Sequence, residues 1–322
     1  AQEGEAVFVS GHPGNTDRLL TVAELEQRRS DSLPERLIFL SEFRGRMIEW
    51  ARSSDEAARQ IQQRILGYEN GIKVWRNQLK SLADADQMAR KAQAEADLRR
   101  AVMADPQLAE AYGGAWNTVE RALDAMSKIA DEYRFIETRR GFMGSLSGWG
   151  RALVRGTSER EKPNDKRLRA YRDTALPRVE QRLLSETPMD PGFEALSLAF
   201  SLDKLREALG PDHETVKAVL GNESPRALAE RLVENSRLSD AAYRKELWEG
   251  GVEAVAASDD PVIELMRAIE PAALGLRKRY DDEVEAPLSQ ASAQIATARF
   301  AILGKNVYPD ATFTLRVTYG GV

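Results

Sequence analysis

A chain of 322 residues, 42 % hydrophobic and 30 % charged, holds enough apolar material for one large core or two modest ones. Its net charge of -5, with the two signs interspersed, argues against nucleic-acid binding, which needs lysine and arginine in clustered excess. The sequence contains no cysteine, which excludes disulfides, thiolate nucleophiles and sulfur metal sites together.

Residues Ala6 to Ser10, with Val7, Phe8 and Val9 in a row, read as a short buried strand, and Gly11-His12-Pro13-Gly14 as a turn. From about Leu19 to Leu303 the periodicity is helical. Helix starts are written in one recurring way, a capping Asp or Ser followed by proline: Asp105-Pro106, Asp190-Pro191, Ser224-Pro225 and Asp260-Pro261. The cap side chain accepts orphan amide bonds, and the proline gives up a donor that had no partner. Gly210 and Gly221 bracket a short helix beginning near Asp212. Ile61, Ile65, Tyr68, Ile72, Trp75, Leu79 and Leu82 alternate spacings of four and three, which predicts a long helix packed lengthwise in a bundle. Arg139 to Lys166, with five glycines and then a charged run, reads as a mobile loop dividing the helical region into halves. At the far end Thr312 to Tyr319 alternates polar and apolar residues and predicts a second strand.

The fold expected is therefore mainly α: a multi-helix, bundle-like domain with one short strand at each end. Its divisions fall at residues 1–18, 19–303 (split by the loop at about 139–166) and 304–322. A two-stranded sheet is marginal in water and its edges invite pairing, so both strands are expected to complete a β domain outside the chain. No run of about 18 apolar residues occurs, so no membrane span is expected. The opening Ala1-Gln2-Glu3-Gly4-Glu5 lacks the basic start and apolar stretch of a signal peptide, which leaves a cytosolic protein or a start further upstream.

Chemistry is sparse. His12 reads as a turn residue and His213 as an exposed first-turn residue of a helix; the two are too far apart to form a zinc-binding helical pair. Asp281, Asp282, Glu283 and Glu285 read as a solvated face, since consecutive acids on a helix point in different directions. Gly144 to Gly150 lacks the ending of a phosphate loop, and no nucleophile-elbow motif accompanies the serines. No catalytic residue, metal site or cofactor is expected within the chain. Asn70 stands apart, because Gly67 and Gly71 flank it inside the seam helix at a cost of about 1 kcal/mol each relative to alanine. Two readings stay open: an exposed polar residue on a kinked helix, or an amide that binds where the backbone can be closely approached.

Both ends of the chain carry a resemblance. Val7-Phe8-Val9-Ser10-Gly11-His12-Pro13-Gly14-Asn15-Thr16-Asp17-Arg18 resembles the Gly-His-Pro-Gly stretch of the bacterial dipeptidyl-peptidase 7 and 11 family of serine exopeptidases. Tyr308-Pro309-Asp310 to Arg316 resembles that family's proline-aspartate strand, and blocks at 104–113, 162–171, 196–210 and 277–288 agree in order. The resemblance implies a chymotrypsin-type double β-barrel, missing from this chain, to which both strands belong. A helical domain inserted in that barrel folds over a Ser-His-Asp cleft, and the enzyme removes dipeptides from peptide N-termini. The triad His and Asp would precede the first strand and the Ser would follow the second, so none lies here and His12 is not the catalytic histidine.

The family's helical domain supplies an asparagine that helps hold the substrate's free amino group, and Asn70 is the candidate, its carbonyl accepting a charge-assisted bond worth roughly 1.5–3 kcal/mol. Implied partners are an oligopeptide with a free N-terminus, the chain's own barrel and, in the full-length protein, a second copy as homodimer; implied location is periplasmic or secreted. Closure of the helical cap would hinge near Arg18 and Lys305. The alternative is a standalone helical protein-interaction module.

Overall fold

The helix starts written in the sequence are the helix starts of the molecule, a computed structural model describing residues 2–14, 16–17, 19–304 and 310–322. After strand β1 (Ala6–Gly11) the chain forms α1 (Val22–Gln27), α2 (Leu33–Ala51), α3 (Asp55–Leu82), α4 (Ala85–Ala104), α5 (Pro106–Tyr112) and α6 (Ala115–Glu132). It continues through α7 (Ser145–Arg160), α8 (Leu176–Leu183), α9 (Pro191–Leu209), α10 (Glu214–Leu220), α11 (Pro225–Asn235), α12 (Ala241–Ala257), α13 (Pro261–Tyr280) and α14 (Ala286–Leu303) to strand β2 (Arg316–Gly321). Asp105 caps α5, Asp190 caps α9, Ser224 caps α11 and Asp260 caps α13, each accepting amide bonds from the first turn beside a proline. Thr21, Asp84 and Asp240 do the same for α1, α4 and α12 without proline. Gly210 (φ 83°) and Gly221 (φ 51°) end α9 and α10 in a backbone region that favours glycine.

Three expectations are corrected. The stretch 139–166 is mostly helix: α7 buries Leu146, Gly150, Leu153 and Gly156, because its glycines are packing contacts. A Cβ on Gly150 would lie 3.0 Å from Met266 and Val262, and one on Gly156 2.7 Å from the Trp248 ring. Strand β1 is exposed at every position, since it pairs only with β2, antiparallel from Ala6 opposite Gly321 to Gly11 opposite Arg316. Strand β2 starts four residues later than the alternation at Thr312 predicts, because Phe313 turns out of the strand at φ 61°, donates its amide to Pro13 O at 3.1 Å and lays its ring on Gly14.

The chain divides into two compact units. The first comprises residues 1–41, 66–125 and 284–322, with a core of Leu98, Val102, Trp116, Val119, Ile295 and neighbouring alanines. In the same unit Asp310 accepts the Thr16 hydroxyl at 2.7 Å and the Leu19 amide at 3.2 Å. The positions proposed as hinges, Arg18 and Lys305, lie outside the described residues, as do Asn15, Tyr308 and Pro309.

The second unit comprises residues 42–65 and 126–283. Within it α7 lies against α12 and α13, and α9 against α11. Phe43, Phe193 and Phe200 cluster in its core, with the Phe193 and Phe200 ring centroids 6.3 Å and 4.9 Å from that of Phe43. Arg244, wholly buried, donates to the carbonyls of Leu183, Leu238 and Ser185 at 2.5–2.6 Å while its guanidinium covers the Trp149 ring. Its direct hydrogen bonds thus go to backbone carbonyls, with Asp240 adding a favourable charge.

Candidate substrate-binding site

Helix α3 runs through Gly67 and Gly71 without interruption, which removes the kink from one of the two readings of Asn70. The predicted seam faces inward: Ile61 and Ile72 are buried, and Ile65, Tyr68, Trp75, Leu79 and Leu82 are partly so. Asn70 points the other way and is exposed. The two glycines have different reasons. Gly71 makes room for the Trp75 ring, from which a Cβ would be 2.9 Å away, and the Arg36 guanidinium lies over that ring at 4.6 Å. Nothing stands within 4 Å of a Cβ built on Gly67, so the helix surface one turn before Asn70 is open to approach.

Two residues missed in the sequence complete this face. Leu66 and Val74 lie one turn before and after Asn70 and are 51 % and 45 % exposed. An amide framed by two exposed aliphatic chains suits an apolar ligand bearing one polar terminus. Their signal was present: both are apolar residues off the seam.

The remaining polar clusters are occupied. His213 caps α10 through Nδ1, which accepts the Thr215 amide at 3.2 Å, and Nε2 sits 3.0 Å from Glu132. It is a part-buried cap, where a simply exposed first-turn residue was expected. His12 is exposed after β1. The acids at 281–283 pair one turn back with Arg277, Lys278 and Arg279, as a solvated face does. Among the described residues no group of three His, Asp or Glu could hold a metal ion.

One buried cluster is electrostatically rich. Arg155 bonds both oxygens of Glu137 at 2.7 Å and Glu270 at 2.6 Å, and Arg151 lies 3.1 Å from Glu270 and 3.4 Å from Glu137. Burial, then the neighbouring Arg155, lowers the Arg151 pKa to about 10. Burial also opposes the charge on Arg155, but its bonds to Glu137 and Glu270 outweigh it and hold its pKa above the ordinary value. Two arginines and two glutamates pair in a closed core, where Arg151 Nε, 3.1 Å from Glu270, makes no well-aligned hydrogen bond, and the arrangement is that of a structural ion-pair network.

The Peptidase S46 family model matches residues 1–322. The chain belongs to the peptidase S46 family. Three solved structures of Porphyromonas endodontalis DPP11 share its fold. The complex with the dipeptide Arg-Glu matches at TM-score 0.72 and 17 % identity, over 100 % of this chain and 46 % of that one. The complex with Arg-Asp matches at 0.71 and 16 %, over 100 % and 45 %. Another DPP11 structure matches at 0.65 and 17 %, over 100 % and 46 %. This S46 chain thus spans less than half the length of the DPP11 chains it matches. It is mainly helical, with its two strands paired as an antiparallel ribbon, and among the described residues no helix is long and apolar enough to cross a membrane.

Proposed function

We propose that this S46 chain is the helical cap of a longer serine dipeptidyl aminopeptidase that removes dipeptides from peptide N-termini. In this reading residues 1–18 and 304–322 belong to a chymotrypsin-type barrel carrying the Ser-His-Asp triad, and residues 19–303 close over its cleft. The cap blocks longer N-terminal extensions and so turns an endoprotease fold into a dipeptide-removing one. Full-length protein, with the ribbon docked on the barrel, would act on oligopeptides in the periplasm or outside the cell, as a monomer or a homodimer. The observation that carries the reading is the family match over residues 1–322. The likeness to DPP11 structures holding dipeptides supports it.

Within that reading Asn70 holds the substrate's ammonium through its side-chain carbonyl, and Leu66 and Val74 shield the bond from water. Its exposure beside the open Gly67 supports the assignment. The test uses the full-length protein and a dipeptidyl reporter. Asn70→Ala should raise KM about tenfold or more, the loss of one charge-assisted bond, while Gln62→Ala, on the exposed surface of the same helix, should not. A reporter with an acylated N-terminus should resist cleavage, and the 322-residue chain alone should give no turnover. Equal kinetics for the Asn70 and Gln62 variants would remove Asn70 from the site, and an inactive full-length protein with an intact triad would remove the activity.

A further inference from the structure

The two places where the chain passes between ribbon and helices are joined by one carboxylate. Asp310 Oδ1 accepts the Thr16 hydroxyl at 2.7 Å, and Oδ2 accepts the Leu19 amide at 3.2 Å, just ahead of α1. The Thr16 oxygen in turn accepts the Ala311 amide at 2.8 Å. Arg316, the first residue of β2, donates from Nη2 to the Asp310 carbonyl at 2.8 Å, and Phe313 donates its amide to Pro13 O at 3.1 Å. Lys91 of α4 adds a positive charge that interacts with Asp310.

The chemistry requires these residue types. A carboxylate can accept from two donors on opposite sides, whereas an asparagine would turn an NH2 toward one of them. A hydroxyl can donate to Asp310 and accept from Ala311 at once, which serine can also do and valine cannot. The side chains of Thr16, Asp310 and Arg316 lie outside the hydrophobic cluster around Trp116, Ala311 joins the clasp through its amide while its methyl group is buried, and β1 is exposed along its whole length. Loosening the clasp therefore frees the ribbon while the helices keep their core. Asn70 lies in the same compact unit as the ribbon and the clasp.

We propose that Asp310 and Thr16 are positioning residues: by locking the ribbon to the helices they set where Asn70 stands relative to the peptide bond to be cut. The inference rests on the proposed dipeptidyl-peptidase function. Neither residue touches substrate; both act through the placement of Asn70, and a displacement of about 1 Å at a substrate contact costs up to 10²-fold in rate.

A double-mutant cycle in the full-length enzyme tests it, with kcat and KM measured on a dipeptidyl reporter and folding checked by thermal unfolding. Asp310→Ala and Thr16→Val should each lower kcat/KM about tenfold or more, chiefly through KM, and Thr16→Ser should restore it. In an Asn70→Ala background the same changes should lower kcat/KM no further, because the contact they position is already gone. Losses that multiply across the two backgrounds, or clasp variants with wild-type kinetics, overturn the clasp while leaving the functional reading in place. A full-length wild type that does not cleave overturns both, whereas one that cleaves but ignores Asn70→Ala overturns the clasp and the Asn70 assignment and leaves the dipeptidyl activity in place. Should Asp310→Ala fail to fold, the Thr16→Val and Thr16→Ser pair completes the cycle.

Discussion

Glu194 caps a helix to which it does not belong. Buried on α9, its Oε1 accepts the Leu146 amide at 2.7 Å in the first turn of α7, and Gly144 at φ 124° leaves no room for a side chain beside it. Burial pushes its pKa above the ordinary carboxylate value, against the backbone bonds from Ser145 and Leu146. A carboxyl whose folded pKa is raised binds its proton more tightly in the native state, so its contribution to stability is present at low pH and lost as pH rises through that value. Glu194→Gln keeps an oxygen for Leu146 and removes the titration. Urea midpoints compared at pH 5 and pH 8 should fall less with rising pH in the variant than in the wild type; parallel pH profiles would show that the charge is not penalised. Nothing local announces this residue, because its partner lies 48 positions away. The clasp pair Thr16 and Asp310, 294 positions apart, was hidden for the same reason. Asn70 was singled out because two glycines inside a long helix are a local anomaly, though one of them serves Trp75.

Elements were readable where the signal is confined to one turn. An aspartate or serine followed by proline specifies a cap with no help from tertiary structure, and all four such sites cap helices. Helix α7 failed the same test in reverse. Its glycines look like loop residues in a window of ten, and only the approach of Val262, Met266 and Trp248 shows that they are there for close packing. The caps also differ in what they hold, which the dipeptide pattern cannot show. Asp260, buried at the start of α13, accepts from the Val262 and Ile263 amides, the Ser236 hydroxyl and the Arg237 amide at 2.7 Å. Among the described residues Asp105 accepts the Gln107 and Leu108 amides alone, in an exposed setting. Asp260→Ala should therefore cost about 2 kcal/mol or more, at the upper end for caps and with buried donors left unmet, and Asp105→Ala about 1 kcal/mol or less. Chemical denaturation of the two variants measures the difference; equal losses would mean that the second segment held by Asp260 adds nothing.

At the scale of the molecule the fold class followed from a short apolar run at the start, a helical period of 3.6 after it and a change to a period of two before the end. The partition into units did not, since three of its four boundaries, near residues 41, 65 and 125, fall within α2, α3 and α6 and the fourth, near 283, lies in the helical turn between α13 and α14, where no linker composition marks them. The ribbon is where sequence pattern and burial part company most. Its alternation predicts an apolar face, yet Phe8 and Tyr319, paired across the strands with ring centroids 6.3 Å apart, are 70 % and 79 % exposed. Two strands with uncovered aromatic faces and free edges are marginal alone and prone to pair with another chain. The purified 322-residue chain should accordingly show concentration-dependent self-association in sedimentation velocity. Phe8→Lys combined with Tyr319→Glu exchanges the aromatic pair for an opposite-charge pair at the same register and should abolish that association. Because neither residue belongs to the cluster centred on Trp116, the helical unfolding transition should stay where it is in the wild type. Association that survives the exchange would place the sticky surface on the helices and relieve the ribbon of the role.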